Sequence, residues 1–311
     1  MKNRFVSSPA GPSPMRLAGA LALLSFAAGS SAGAQTLEAV AGTAPSEGQR
    51  VVLITGSTGG LGRVVARRLA DDGAHVIVHG RNLERGTELV EEIAAGPGSA
   101  RFYAADFGSL QEVLALAEAI LRDYDRLDVL VNNAGILLGG PRRTSDDGHE
   151  LHFQVNYLAT FLLTHELLPL LKQSAPARVV HVASIAQQPI DFDDVMLEQG
   201  YDRGRAYAQS KLAQIMFNVD LARQLEGTGV TTNALHPATL MDTDMVLELD
   251  MPPRSSVEDG ADAVMNLIEA DGLGSGGYFD QTRPARANAQ AYDEDARARL
   301  RRLSERLTGG S

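Results

Sequence analysis

Cysteine is absent from this sequence of 311 residues, and lysine occurs only 3 times beside 25 arginines. Without cysteine the chain forms no disulfide, thiolate metal site or cysteine nucleophile. Basic residues are also in the minority. With 28 lysines and arginines against 39 acidic residues, the formal charge is -11, which argues against a binder of nucleic acids or anionic membranes. The hydrophobic content of 44% argues against disorder. An acidic globular enzyme that acts on small molecules fits this composition.

The sequence also lacks an apolar run long enough for a permanent membrane anchor. Residues 1–34 contain three basic and no acidic residues, a short apolar run over 17–28, and the small-residue pattern Ala32-Gly-Ala34. These features are typical of a cleaved secretory signal peptide. A disordered extension rich in alanine, glycine and serine is the alternative. We expect export, to the periplasm or the medium, if the segment is cleaved and a cytoplasmic protein otherwise. A flexible lead-in is expected over 35–49.

From residue 50 onward, short apolar runs alternate with amphipathic stretches. A run that is apolar at every position is typical of a strand buried on both faces. The predicted strands are 51–54, 75–79, 101–104, 127–131, 179–182, 230–235 and 278–279, and the predicted helices are 61–72, 83–95, 110–124, 151–171, 207–225, 257–269 and 293–307. This alternation predicts a single α/β domain over 50–309, a doubly wound Rossmann sheet of about seven parallel strands with helices on both faces.

A glycine-rich turn joins the first predicted strand to the first predicted helix, and reads Thr55-Gly-Ser-Thr-Gly-Gly-Leu-Gly62. Gly56 can adopt the positive φ of a tight turn, while Gly60 and Gly62 let the backbone approach a pyrophosphate and the strand. The helix that follows offers unpaired N–H groups to phosphates. Many loops are rich in glycine, but a turn placed between a buried strand and a helix predicts dinucleotide binding.

The residues after the second predicted strand bear on which dinucleotide binds. Sites that prefer NAD have a carboxylate there for the ribose hydroxyls, whereas His79-Gly-Arg-Asn82 contains none. Arg81 can pair with a 2′-phosphate, and Arg63 is a second candidate. The alternative is that Arg81 is an ordinary surface arginine. We expect NADP(H) to be preferred over NAD(H).

A phenol and an ammonium lie one turn apart in Tyr207-Ala-Gln-Ser-Lys211. The spacing places both on one face of the helix predicted there. A chain that uses arginine nearly everywhere has a lysine here, where a compact ammonium would bind ribose hydroxyls and lower a neighbouring pKa. An unrelated pair on a helix surface is the alternative.

These motifs together resemble the short-chain dehydrogenase/reductase family. Four match its pattern in order, from about residue 51 to residue 309: Thr55-Gly-x-x-x-Gly-x-Gly62, Asn132-Asn-Ala-Gly135, Tyr207-x-x-x-Lys211 and His236-Pro237. The segments 153–164, 277–279 and 303–309 are most similar to the retinol-dehydrogenase-like branch. The resemblance implies a catalytic tetrad of Asn156, Ser184, Tyr207 and Lys211.

The resemblance also assigns the cofactor-binding residues. They are Gly56, Ser57, Thr58, Gly60, Leu61, Gly62, Arg81, Asp106, Phe107, Asn133, Ala134, Gly135, Tyr207, Lys211, Pro237 and Thr239. Asp106 and Phe107 resemble the pair that contacts adenine. The chain departs from the family at Ala238, where many members have glycine, and its loop 239–243 is one residue longer than the commonest spacing.

A longer than usual gap separates Ser184 from Tyr207, and it contains three aspartates, Asp191, Asp193 and Asp194. A solvated loop is favoured for this insert over a part of the substrate mouth. No metal site is predicted, because no histidine lies among these carboxylates.

Tyr207 is the expected general acid/base. A free tyrosine has a pKa near ~10, and Lys211 with the positive nicotinamide ring would lower it. Ser184 would bind the substrate oxygen and Asn156 would order a water, unless Asn156 is merely a satisfied core amide. These roles describe an NAD(P)-dependent oxidoreductase that interconverts an alcohol and a carbonyl group.

The methionine-rich segment 240–251 suggests a lipophilic small-molecule substrate, or alternatively a cap over the core. Alternative functions are a non-catalytic NADP(H)-binding sensor or scaffold, and an epimerase or dehydratase of the extended branch. We expect no nucleic-acid partner and, in the mature chain, no stable membrane span. Whether the protein forms a homo-oligomer is left open.

Overall fold

The computed structural model describes residues 37–248 and 252–309, so the segment predicted to be a signal peptide lies outside the described residues. The strands in the described part are β1 (Ala41–Gly42), β2 (Val51–Ile54), β3 (His75–Gly80), β4 (Ser99–Ala104), β5 (Val129–Asn132), β6 (Ala177–Val182), β7 (Val230–His236), β8 (Tyr278–Asp280) and β9 (Arg283–Ala285). The helices are α1 (Gly60–Asp71), α2 (Leu83–Ala94), α3 (Leu110–Asp123), α4 (Leu151–Phe153), α5 (Ala159–Gln173), α6 (Arg203–Gln224), α7 (Asp244–Leu247), α8 (Val257–Glu269) and α9 (Glu294–Leu307).

One sheet holds these strands in the order β1-β4-β3-β2-β5-β6-β7-β8-β9. The seven strands from β2 to β8 pair in parallel, which confirms the doubly wound α/β fold. The described residues add an antiparallel strand at each edge, β1 on β4 and β9 on β8. Both are two or three residues long and mostly exposed, so they lack the apolar pattern that marks the other seven.

The segment before β2 differs from the flexible lead-in that the sequence predicts. Val40 N donates to Phe102 O at 2.8 Å, and Thr43 N donates to Ala100 O at 2.9 Å. These bonds satisfy backbone groups along the open edge of β4, which would otherwise face water. The lead-in is therefore partly an edge strand.

Alternate side chains of the buried strands enter two separate cores. Val52 and Ile54 of β2 pack with α1, α2 and α8 on one face of the sheet. Leu53 packs with α3, α5 and α6 on the other face. Because successive strand residues point to opposite faces, a strand covered by helices on both sides must be apolar throughout. This explains why the inner strands could be found from sequence.

A π-helical turn interrupts the helix that the sequence predicts over 151–171. The turn spans Gln154–Leu158, between α4 and α5, and it contains Asn156. Turns of this kind occur often at functional sites. Among the helices of the described residues, none is both long and apolar enough to cross a membrane.

Buried histidines should make the stability of the fold depend on pH. Burial, with the charge of Arg101, lowers the pKa of His75 to about 4, and burial lowers the pKa of His79 to about 4. Burial, with the charge of Lys211, lowers the pKa of His181 to about 3. All three are neutral in the folded protein at pH 7, whereas unfolded histidine titrates near ~6.5.

We expect the free energy of unfolding to fall as the pH decreases from about 6.5 toward 4. In this range these histidines bind protons in the unfolded chain but stay neutral in the folded protein. Each histidine contributes up to about 1.4 kcal/mol per pH unit. Urea unfolding at several pH values measures this slope. The variant His75→Gln should have a shallower slope by about one proton, and an unchanged slope would contradict the assignment.

Candidate active site

The candidate site lies at the carboxyl edge of the parallel strands. The glycine turn follows β2, the Asn133-Ala-Gly135 loop follows β5, Ser184 follows β6, and Pro237 follows β7. Neighbouring strands in a parallel sheet end on the same side, so these four loops meet there. The structure thus brings together motifs that lie as many as 182 positions apart in the sequence, from Thr55 to Pro237.

Two side chains hold the glycine turn in place. Gly56 has φ +64°, a left-handed conformation that glycine adopts without a Cβ clash. Its N–H donates to Nδ1 of buried His79 at 3.1 Å, and His79 Nε2 bonds to Ala105 O at 3.1 Å. The Asn133 amide donates to the carbonyls of Thr55 and Gly56. The turn therefore has one fixed shape, set from both neighbouring strands.

Glycine is required at position 62 because atoms of neighbouring segments approach its Cα closely. A Cβ at this position would lie 2.6 Å from Asn133 Nδ2 and 2.6 Å from Gly56 O. The same turn contains Gly59, where a Cβ would meet only the Arg85 side chain at 3.5 Å. Gly60, with φ +50°, lies against Thr243 of the loop after β7. That loop consequently reaches over the glycine turn.

The turn fits the pyrophosphate of a dinucleotide. Gly59 is the N-cap of α1, and its missing side chain leaves the first-turn N–H groups without a side-chain cap. Unpaired N–H groups and the positive end of a helix dipole bind phosphate. Of the residues assigned there, Ser57 turns its hydroxyl inward to Ile54 O at 2.8 Å, and Leu61 is buried in the core. Only their backbone atoms can face a ligand.

The ends of β3 and β4 form the adjoining part of the site. Arg81 is exposed, and its guanidinium lies 3.4 Å from a carboxylate oxygen of Asp106. Thr58 lies over Gly80, where a Cβ would approach its side chain to 2.6 Å. Phe107 is buried and stacks on His79, with ring centroids 4.4 Å apart, so its ring is not available to an adenine.

Arg63, the second candidate for the 2′-phosphate, has another partner. Its guanidinium pairs with Glu92 of α2 at 2.5 Å and also donates to Arg85 O at 3.3 Å. The structure therefore leaves Arg81 as the better placed of the two arginines that the sequence suggested.

Tyr207 and Lys211 lie on one face of α6, with the Lys211 ammonium 5.8 Å from the centroid of the Tyr207 ring. The ammonium donates to Val182 O at 2.9 Å and to Gln214 Oε1 at 3.1 Å. A Cβ on Gly135 would lie 3.2 Å from the same nitrogen, so the glycine makes room for the lysine. The pair is thus built into the site and is not a surface pair.

Burial dominates the titration of both groups. It lowers the pKa of Lys211 to about 7. It raises the pKa of the Tyr207 phenol, while the Ser184 hydroxyl, as a hydrogen-bond donor, acts to lower it. The sequence predicts a lowered pKa for Tyr207. In the protein alone the direction is opposite, because the desolvation of a phenolate outweighs that hydrogen bond.

Asn156 connects the loop after β5 to α6. Its Oδ1 accepts from Ile136 N at 2.7 Å, and its Nδ2 donates to Ile136 O at 3.1 Å and to Ser210 Oγ at 2.9 Å. All of its side-chain groups are therefore used within the protein, as in the satisfied core amide that the sequence left open. The π-helical turn is what directs Asn156 to this loop.

The loop after β7 is held by a polar contact and an apolar one. His236 Nε2 bonds to Thr239 Oγ1 at 3.0 Å, and Pro237 is buried. Met241, expected among the substrate-covering residues, instead packs on Gly260 of α8. Part of this segment therefore caps the core, whereas Leu247 is 55% exposed.

Several residues with a role in the site were not assigned from the sequence. Thr55 Oγ1 accepts the N–H groups of Asn133 and Ala134 at 3.0 and 2.9 Å, although Thr55 stands within the quoted motif. His79 orients Gly56, and Gln214 binds Lys211. In the sequence, the only sign of these roles is a polar residue at a position where a buried one is expected.

Comparison with known proteins places these features in a family. Residues 50–252 match the family model of the short chain dehydrogenases. Human retinol dehydrogenase 12 is 36% identical over 274 residues, covering 84% of this chain and 86% of that protein. Human retinol dehydrogenase 14 is 36% identical over 294 residues, with the same coverage.

Solved structures agree with this match. A protein from Mycobacterium paratuberculosis is 31% identical, with a TM-score of 0.70, covering 86% of this chain and 98% of that one. A short chain dehydrogenase from Escherichia coli CFT073 complexed with NADPH is 28% identical, with a TM-score of 0.61 and coverages of 75% and 96%. The Pseudomonas aeruginosa RhlG/NADP active-site complex is 27% identical, with a TM-score of 0.62 and coverages of 74% and 93%.

We expect Gly62→Ala to weaken nicotinamide dinucleotide binding at least about tenfold, because the new Cβ would displace Asn133 from the glycine turn. Gly59→Ala, which meets no backbone atom, is the matched control and should stay within about threefold of the wild type. Fluorescence titration with NADPH measures both dissociation constants. Equal losses in the two variants would contradict the role given to Gly62.

Proposed function

This chain belongs to the short-chain dehydrogenase/reductase family, and from this membership we propose its cofactor preference, its acid/base residue and its substrate class. The membership itself makes the protein an oxidoreductase of alcohols and carbonyl compounds that uses a nicotinamide cofactor. The proposed reaction is the NADP(H)-dependent interconversion of a lipophilic alcohol and its carbonyl compound, with Tyr207 as general acid/base.

The observation that carries this proposal is the position of the Tyr207 phenol beside the Ser184 hydroxyl and the Lys211 ammonium. A bound nicotinamide supplies or accepts the hydride. Tyr207 donates a proton to the oxygen of a carbonyl substrate during reduction, and takes it from an alcohol during oxidation. Ser184 holds the same oxygen, and the charge of Lys211 favours the phenolate that oxidation needs.

The NADP(H) preference rests on the charges at the end of β3. The position where NAD-binding sites place a carboxylate is occupied by buried His79 and small Gly80, and Arg81 is exposed beside them. Asp106 pairs with this arginine and would compete with a 2′-phosphate, but an exposed pair separated by 3.4 Å is weak. Two of the similar structures are complexes with NADPH or NADP.

A lipophilic substrate is supported by apolar side chains exposed at the site. Ile185, directly after Ser184, is 57% exposed, and Leu247 of α7 is 55% exposed. These two side chains offer apolar surface whose burial would favour the binding of an apolar ligand. The similar human proteins are named for retinol, a lipophilic alcohol.

We expect Tyr207→Phe to reduce turnover by at least about 100-fold, because the variant lacks the acidic proton, while NADPH binding changes less than about threefold. A panel of apolar alcohols and aldehydes, followed by the absorbance of reduced nicotinamide, measures this. Tyr201→Phe, just before α6, is the matched control and should retain turnover. Full activity in Tyr207→Phe would refute the acid/base role, and activity absent from the wild type with every substrate would favour a sensor or scaffold.

Arg81→Ala should lower kcat/KM with NADPH by about 10- to 100-fold and leave kcat/KM with NADH nearly unchanged, because only NADPH carries the 2′-phosphate. Arg67→Ala removes another exposed arginine, from α1, and should affect neither cofactor. Kinetics with both reduced cofactors at two salt concentrations test this. A similar loss for NADH and NADPH would overturn the proposed preference.

A further inference from the structure

Gln214 lies one turn beyond Lys211 on α6 and is fully buried. Its Oε1 accepts a hydrogen bond from the Lys211 ammonium at 3.1 Å. An ammonium can only donate, so the amide must present its oxygen to the lysine and its nitrogen to the other side. The second acceptor of the ammonium is Val182 O, which leaves one N–H for the open side of the site.

The other end of the Gln214 amide is not satisfied. Among the described residues, its Nε2 atom is buried without a hydrogen-bond partner, and so is Nε2 of His181 on β6. An unpaired buried donor costs stability, and an apolar side chain of the same length would avoid that cost. Packing therefore does not explain a glutamine at this position, whereas contact with Lys211 does.

We propose that Gln214 is a positioning residue of Lys211, whose amide oxygen keeps the ammonium in place and in its charged form. The inference rests on the proposed function, in which Lys211 acts beside Tyr207. Gln214 touches neither a cofactor nor a substrate in this scheme and acts only through the lysine.

The surroundings of Lys211 make its hydrogen bond to Gln214 decisive for the charge of the lysine. The titratable groups that face it are the Tyr207 phenol on the same helix and the His181 imidazole on β6, and both are neutral at pH 7. The loop after β5 and the π-helical turn contribute Gly135 and the Asn156 amide. None of these groups carries a negative charge. Because burial lowers the pKa of Lys211 to about 7, one hydrogen bond more or less changes its charge near neutral pH.

The scarcity of lysine allows a direct test without cofactor. Protein labelled with ε-13C lysine has at most three lysine signals, and a pH titration by NMR reports the midpoint of Lys211, assigned with Lys211→Arg. Gln214→Met should lower the midpoint by about one unit, and Gln214→Glu should raise it by at least as much. Structural damage alone would not shift the two variants in opposite directions.

Gln209→Met is the matched control. Gln209 is equally buried on the same helix, but its amide donates to Val195 O, so the Lys211 midpoint should stay at the wild-type value. Thermal unfolding should show similar stability for Gln214→Met and Gln209→Met, because each removes one buried hydrogen bond and one unpaired buried amide atom.

Where the enzyme turns over, the alkaline limb of its kcat/KM profile should move with the midpoint in each variant. Midpoints that stay unchanged in both Gln214 variants, or that shift in the same direction, would overturn the proposal. Since the titration needs no turnover, its result is separate from failure of the proposed function, which would show as a wild type without activity but with the expected shifts.

Discussion

Two hydrogen bonds to the Thr55 hydroxyl join the end of β2 to the end of β5. From them a continuous series of contacts runs across the site. The loop after β5 bonds to Asn156 through Ile136, Asn156 bonds to Ser210, and Ser210 donates to the carbonyl of Tyr207. The glycine turn and α6 are thus positioned against each other by hydrogen bonds among buried groups. Such bonds are strong and directional where water is excluded.

Burial opposes charge throughout this site. It acts against the ammonium of Lys211 and against the phenolate of Tyr207, the two charged forms that the proposed chemistry uses. The protein offsets this cost with neutral dipoles, namely the Val182 carbonyl, the Gln214 amide and the Ser184 hydroxyl. Neutral dipoles stabilise a charge without adding a permanent counter-ion that would hold it in a single state. Lys211, with a pKa of about 7, is consequently close to its titration range, where small contacts determine which form is present.

Most of the architecture could be predicted because it follows from patterns along the chain. The inner strands are apolar at every position, and the glycine turn stands where a buried strand meets a helix. The edge strands β1 and β9 were not predicted, because short, exposed strands have no such apolar pattern. The π-helical turn was also not predicted, because its residues were assigned to one continuous helix over 151–171.

The orientation of the side chains in the site was harder to predict than the position of the backbone. Motif matching assigned Ser57, Leu61 and Phe107 to the cofactor site, yet the structure turns their side chains into the protein. It also missed His79 and Gln214, whose roles depend on contacts with residues distant in sequence or on the opposite strand. A motif gives the position of the backbone, whereas tertiary packing decides which side of it a side chain occupies.

The π-helical turn at Gln154–Leu158 has a consequence for how this chain can change. Such a turn contains one residue more than the regular helix on either side. Loss of a single residue here would restore a regular helix and keep the segments on either side nearly in register, because the turn absorbs its extra residue locally. The bulged backbone that holds the Asn156 amide against Ile136 would be lost with it. The stretch is therefore sensitive to deletion, and burial of Val155, Tyr157 and Leu158 also restricts substitution there.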